Sequence, residues 1–261
     1  MNKKAIRTFG RRLKNVFEGL SGFELERIRK TYTLTKSSHR QDAWFSYRAQ
    51  FRTIIEKHDI DIVIDAGANE GQFGQKLRSF YRGEIISFEP VSSVFEKLSR
   101  TASKDPEWKV YKMALGSRDT SLEINVPEDS VFSSLLETNK DCPGLFGQSA
   151  VGYKKERVSV RRLDRLLDEI APDIENKHVF LKMDTQGYDM EVFKGLGNKL
   201  KYINALQSEV SLVPIYETMP HWTESISAYE EAGFGIVGMF PVSRDSGRII
   251  EYDCLLTKVG Y

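Results

Sequence analysis

From Ile60 onward the chain alternates between short apolar runs and segments whose apolar residues recur every three or four positions. Ile60-Asp61-Ile62-Val63-Ile64-Asp65 reads as a buried strand, and Gln72–Tyr81 after its glycine turn as a helix. Glu84–Glu89 predicts a second strand, Val91–Ser103 a helix and Trp108–Leu115 a third strand. Leu122–Val126 extends the sheet, Arg157–Arg161 alternates as an edge strand does, and Leu163–Ile170 is a short helix. His178–Asp184 and Ala205–Val210 are further strands, with helices at Tyr188–Gly195 and Trp222–Ala232. Phe234–Gly238 and Ile249–Thr257 complete the set. Strands and helices in alternation predict an α/β fold of Rossmann-like type, a mostly parallel sheet covered by helices on both faces. In such sheets ligands bind at the carboxyl ends of the strands.

The first 58 residues have a different pattern. Ile6, Phe9, Leu13, Val16, Phe17 and Leu20 fall on one helix face, while Lys3, Lys4, Arg7, Arg11, Arg12 and Lys14 occupy the other. A second helix is expected over Gln41–His58, carrying Trp44, Phe45, Tyr47, Phe51, Ile54 and Ile55. Two parts follow: a basic helical extension or cap over 1–58 and a main domain over 59–261. Charge follows the same division. The extension holds 14 Lys/Arg against 5 Asp/Glu, and the rest of the chain 24 against 32. A basic arm on an acidic domain can meet an anionic lipid surface through residues 1–20, or pack on its own domain. No run approaches the roughly 20 consecutive apolar residues of a membrane helix. The arm also lacks the apolar core of a signal peptide. A cytoplasmic protein, peripheral at most to a membrane, is the expectation. Cys142 and Cys254 are too few for a disulfide framework, and Cys254 reads as core.

The chemistry starts where the first strand ends, at Asp65-Ala66-Gly67-Ala68-Asn69-Glu70-Gly71. Glycine lets backbone approach a ligand where a Cβ would collide. Glu89 ends the second strand 18 residues beyond Gly71, where a carboxylate can accept hydrogen bonds from ribose hydroxyls. An adenosine-containing ligand is therefore expected. A dinucleotide wants Gly-x-Gly-x-x-Gly facing its pyrophosphate. Here the second glycine position is Asn69, and Asp65 just before the first would repel phosphate. An acid there suits the ammonium and sulfonium of S-adenosylmethionine.

At this point the sequence resembles the FkbM-type methyltransferase family. The matching pieces are Val63–Gly71, Phe88-Glu89-Pro90, Met113-Ala114-Leu115-Gly116, Ser133-Ser134-Leu135, Arg162-Leu163-Asp164 and Leu181–Asp189. Order and spacing fit from about Ile60 to Lys258, with Lys182–Gly187 the most distinctive block. The resemblance implies a seven-stranded class I methyltransferase fold and O-methylation, often of sugars or polyketide-like products. It also implies S-adenosyl-L-methionine as donor and S-adenosyl-L-homocysteine as product. By it, Asp65, Gly67, Asn69 and Gly71 line the methionine part of the donor. Glu89 with Pro90 takes the ribose, and Ala114 and Leu115 edge the adenine. Where the family often has Glu, this chain has Asp189, an acid of shorter reach should it touch substrate. Residues 1–58 lie outside the resemblance.

An alcohol attacks a methyl group only as its proton leaves, so a base or metal must stand near the oxygen. Asp184, at the end of a central strand, is the first candidate, unless it caps the next helix. Glu209 ends the neighbouring strand, where two carboxylates could share a proton or hold a divalent cation. No His/Asp ligand spacing supports a metal. His221, in a loop leading to a helix, is a third candidate base, whereas His178 opens a strand and reads as structural. Lys182 would face the same side as Asp184 and position it. Tyr153, Tyr216, Trp222 and Phe240 could wall a sugar ring. The long aperiodic stretch Pro127–Glu156 has the character of a lid.

The leading expectation is therefore an O-methyltransferase acting on a saccharide, glycolipid or related small-molecule acceptor. Two other classes compete. An NAD-dependent oxidoreductase is disfavoured by Asp65 and Asn69, and a non-catalytic nucleoside-binding protein by Asp184 beside an intact donor motif. Nucleic acid is not expected as partner, because phosphate contacts dominate such binding and residues 59–261 are acidic. Oligomeric state is left open, a homo-oligomer included.

Overall fold

The computed structural model describes residues 23–28, 31–36, 46–127, 132–139, 154–245 and 247–259. The expected helix over residues 1–20, Cys142, Tyr153 and most of the lid stretch lie outside them. The chain divides into two compact units, Met1–Phe51 and Arg52–Tyr261. Within the first lies an antiparallel hairpin of β1 (Phe23–Ile28) and β2 (Thr31–Lys36), paired from Phe23↔Lys36 to Ile28↔Thr31. The periodicity of the extension had pointed to helices alone. Helix α1 (Ser46–Lys57) matches the described part of the second expected helix, and the division between the units falls inside it.

The second unit continues with β3 (Ile62–Ala66), α2 (Gln72–Leu77), β4 (Glu84–Phe88), α3 (Ser92–Ala102), β5 (Trp108–Tyr111), β6 (Ala114–Leu115), β7 (Thr120–Val126), β8 (Lys154–Arg161), α4 (Leu163–Ile170), β9 (Val179–Met183), α5 (Asp189–Lys194), β10 (Ile203–Ser211), α6 (Trp222–Glu231), β11 (Phe234–Asp245) and β12 (Arg248–Lys258). Seven strands form the main sheet in the order β11-β12-β10-β9-β3-β4-β5. All neighbours pair in parallel except β12, which runs antiparallel to both β10 and β11. This is the expected mostly parallel α/β sheet. The chain proceeds outward from β3 through β4 to β5, then returns to build β9 and β10 on the other side. The crevice where the order reverses lies between the carboxyl ends of β3 and β9.

Burial explains the apolar runs. All five residues of β3 and of β9 are buried, because helices cover both faces of the central strands. Helix α4 turns Leu163, Leu166 and Leu167 inward at one-turn spacing. Leu163 and Leu167 have no exposed surface, and burying each contributes about 1.5–3 kcal/mol. Cys254 is a buried free thiol, as its apolar run indicates.

One expectation about the sheet is corrected. The third strand stops at Tyr111, where Met113 N–H turns back onto the Tyr111 carbonyl. Ala114-Leu115, Thr120–Val126 and Lys154–Arg161 then make a separate three-stranded sheet in the order β6-β8-β7. Ile124 and Val158 of that sheet pack with Val91 and Val94 at the start of α3. The Glu156 carboxylate accepts the Ser92 N–H there (3.0 Å), an acid at a helix N-terminus. Strand periodicity was legible in sequence, but sheet membership was not. Among the described residues no helix is long and apolar enough to cross a membrane.

Candidate active site

The turn after β3 is shaped by its neighbours. Gly67 has φ +80°, and a Cβ there would overlap the Asp184 carbonyl oxygen at the end of β9. Asp184 N–H bonds to the Ala66 carbonyl at 3.1 Å, so the two strand ends meet here. Gly71 has φ +89°, and its Cβ would stand 3.0 Å from Leu98 and 3.1 Å from Trp108. Between them Asn69 adopts φ 48°, which Asn tolerates better than most residues. Gly67 and Asn69 are half-buried, whereas Gly71 is enclosed.

Glu89 follows β4, and the turn itself orients it. One carboxylate oxygen accepts Asn69 N–H (3.0 Å) and the other Val91 N–H (2.9 Å). Burial pushes its pKa up to about 7, against those two backbone donors, which pull it down. The anchored oxygens keep lone pairs for a vicinal diol, so this residue fits a ribose. Pro90 is half-buried beside it.

Other expected donor contacts are corrected by burial. Asp65 has no exposed surface, so its carboxylate cannot touch a ligand in this arrangement. It meets Lys182 Nζ at 3.2 Å and the Ser87 hydroxyl at 3.4 Å instead. Leu115 is enclosed in the main core, so its side chain does not edge a pocket, whereas Ala114 keeps as much surface as Glu89.

Lys182 is the hinge of the site. It is buried, its ammonium lies 3.2 Å from Asp65 and 3.1 Å from Asp184, and it stands over the Phe73 ring at 5.1 Å. Burial opposes its charge, but the Asp184 and Asp65 carboxylates outweigh burial and raise its pKa. A polar chain thus crosses the sheet. Trp108 indole N–H donates to Ser87 (3.0 Å), Ser87 to Asp65, and Lys182 joins Asp65 to Asp184.

Asp184 does not cap the next helix. It is the more open end of this chain, its side chain 38% exposed. The Gln186 amide donates to Asp184 (3.3 Å) and to Glu209 (3.1 Å), and accepts from the Tyr216 hydroxyl (2.7 Å). The two expected carboxyl groups are therefore joined through an amide, not by a shared proton. Burial and the Asp184 charge hold the Glu209 pKa well above the carboxylate range. Asp253, paired with Glu209 across β12, is raised to about 6 by burial and Asp184, with Lys182 opposing.

Asp189 is buried and accepts four hydrogen bonds, from Thr185 N–H and hydroxyl, Ser208 hydroxyl and Glu209 N–H. It clasps the turn after β9 onto β10 and is fully occupied, so its short reach is structural. His221 is corrected from candidate base to helix cap. It is exposed, its Nδ1 faces the Thr223 hydroxyl (2.7 Å), and Glu224 returns a bond to its backbone N–H in a capping box. The aromatic wall does not assemble as expected. Tyr216 is buried with Ile215 and Ile250, while Trp222 packs on the main core. Of the lid stretch, 132–139 is tied down through bridges Asn125↔Ser134 and Thr138↔Tyr216. Among the described residues no group of three or more His, Cys, Asp or Glu side chains is arranged to hold a metal ion.

Sequence reading missed Gln186, Ser87 and Asp253 as members of this site. Ser87 leaves a signal, a lone small polar residue inside a buried apolar strand. Gln186 lies in the distinctive block Lys182–Gly187, but its role was not legible, since its partners come from three separate segments.

Comparison with known proteins gives a family. A model described as the methyltransferase FkbM domain matches residues 65–236. Comparison with curated proteins finds no match. Among solved structures, fibrillarin from Aeropyrum pernix with natively bound S-adenosyl-L-methionine aligns at TM-score 0.44 and 11% identity, covering 92% of this chain and 86% of that one. Magnesium protoporphyrin IX methyltransferase from Synechocystis aligns at 0.43 and 9% identity, covering 86% and 81%. An rRNA methylase from Streptococcus thermophilus aligns at 0.41 and 11% identity, covering 79% and 96%. The family match does not favour the oxidoreductase reading. With its family model spanning most of the second unit, the chain belongs to the FkbM methyltransferase family.

Proposed function

We propose that this protein transfers the methyl group of S-adenosyl-L-methionine to a hydroxyl of a saccharide, glycolipid or related small-molecule acceptor. The observation that carries the reading is the contact between Gly67 and the Asp184 backbone. It sets a partly open carboxyl group at the edge of the turn fitted to the donor. The donor supplies an electrophilic methyl on sulfonium. Glu89 takes the ribose, and the backbone from Gly67 to Asn69 borders the amino-acid part. Asp184 accepts the acceptor's proton as its oxygen attacks the methyl carbon, which leaves sulfur with the bonding electron pair. Lys182, 3.1 Å from Asp184, holds that carboxylate in place for the transfer. Glu209, whose pKa burial and the Asp184 charge raise, stands beside it as the second carboxyl group of the pair.

The test is turnover with methyl-labelled donor on a panel of free sugars, glycolipids and polyhydroxylated products, read by mass spectrometry as gain of one CH₂. An O-methylated product that disappears with Asp184→Asn is expected. Label transferred only to nitrogen or carbon atoms, or no heat with S-adenosylhomocysteine on folded protein, would sink the reading.

A further inference from the structure

Gln186 stands at φ 53°, a left-handed conformation uncommon for its residue type, and Gly187 follows at φ +87°. The turn is closed in from several sides. A Cβ on Gly187 would lie 3.0 Å from Tyr216 and 3.2 Å from Leu136. The Ser134 hydroxyl donates to the Gln186 carbonyl at 2.7 Å, and Ser134 pairs with Asn125 of β7. Two segments distant in sequence, 132–139 and the one carrying Tyr216, thus close on this left-handed turn. That is the pattern expected where backbone geometry serves a site.

The side chain is held as firmly as the backbone. An amide carries two N–H donors and one carbonyl. Here one group of donors spans Asp184 and Glu209, and the carbonyl takes the Tyr216 hydroxyl. This pattern also fixes which way the amide points, since a flipped carbonyl would face two acids.

We propose that Gln186 is a positioning residue for the acceptor site, its amide setting the Asp184 and Glu209 carboxyl groups at a fixed spacing. This rests on the reading of those two groups as the acid–base pair. Gln186 touches no reacting atom. It acts through the two acids, and Ser134 and Tyr216 act through it. The charged and titratable groups facing the pair are Lys182 on β9, Asp189 on α5, and Glu251 and Asp253 on β12. Lys182 already serves Asp65 and Asp184, so the amide is the donor the structure assigns to Glu209.

The experiment follows the two acids directly, in the full chain. Carboxyl carbons of Glu and Asp are labelled with ¹³C, assigned with Glu209→Gln and Asp184→Asn, and titrated by NMR. An amide that donates to a carboxylate favours its ionised form. Gln186→Leu removes both donors, so the Glu209 midpoint is expected to rise by about one pH unit. The Glu89 midpoint, held by Asn69 and Val91 N–H on the other side of the crevice, is expected to stay put. Tyr216→Phe frees only the carbonyl end of the amide and is expected to move Glu209 in the same direction by less. If Gln186→Leu does not fold, Tyr216→Phe decides by the same criterion. A Glu209 midpoint unmoved in a folded variant, or one that moves together with Glu89, overturns the proposal. Neither donor nor acceptor enters this measurement. A failed turnover assay would remove the proposed function and the acceptor site with it, while the titration would still show whether the amide holds the two acids.

Discussion

The crevice has two banks, and they are built differently. On the β3–β4 bank the functional groups are mostly backbone, fixed by close packing. Gly67 and Gly71 are glycine because Asp184, Leu98 and Trp108 leave no room for a Cβ, and one acid, Glu89, is anchored by two backbone N–H groups. On the β9–β10 bank the groups are side chains. Asp184, Gln186 and Glu209 arrive from a strand end, a turn and a neighbouring strand, and depend on one another's hydrogen bonds. The first bank suits a ligand of one fixed shape, because a packed backbone has little freedom. The second can be retuned by single substitutions, as a site that distinguishes acceptors requires. Lys182 is where they join.

The largest expected effect comes from cutting that join. Lys182→Met leaves Asp65 buried with its cation gone, which should cost about 3–5 kcal/mol of stability in denaturant melts. A loss under about 1 kcal/mol would mean that the ion pair does not hold the banks together. Glu89→Gln tests the first bank alone. Losing a charge-assisted bond to the ribose should weaken S-adenosylhomocysteine binding about tenfold or more in calorimetry. Asp184→Asn should leave that affinity within about twofold. Equal losses from both would erase the distinction between the banks.

Acidity sharpens the same contrast. Glu89, with its folded pKa near 7, is mostly protonated at pH 6 and mostly ionised at pH 8. Only the ionised form accepts from both ribose hydroxyls, so S-adenosylhomocysteine affinity should rise roughly tenfold across that interval. The stability effect has the opposite sign. A carboxyl with a raised folded pKa binds more protons folded than unfolded, so its contribution falls as pH climbs from about 4.5 to 7. A flat binding profile would remove Glu89 from the ribose. The smallest effect is expected outside both banks. His221→Ala should lose about 1 kcal/mol, the usual cost of a helix cap, with donor affinity unchanged. A loss of turnover beyond that stability cost would return His221 to the site.

The two banks also differ in how far sequence revealed them. The first was legible because it is local. Asp65–Gly71 and Glu89 follow consecutive strands, and strand, glycine turn and terminal acid are read in order. Even there, sequence overassigned. Asp65 and Leu115 have the right types at the right places, but whether a side chain faces a ligand or the interior depends on what packs behind it. On the second bank Asp184 and Glu209 were legible as strand-end acids. Gln186 was not, because its role needs Tyr216, Ser134 and Glu209 brought to it. His221 shows the converse, a reactive residue type whose neighbours Thr223 and Glu224 make it a cap.

The amino-acid sequence by itself determined the α/β alternation, most strand and helix positions, the family blocks and the donor turn, since these rest on periodicity and short-range spacing. Tertiary structure alone decided that β6, β7 and β8 leave the main sheet, that Asp65 serves Lys182, and that Gln186 bridges two acids. The reason is physical. Local pattern fixes which way a chain bends and which face is apolar, whereas partners and burial are set by long-range contacts that exist only once the sheet has closed.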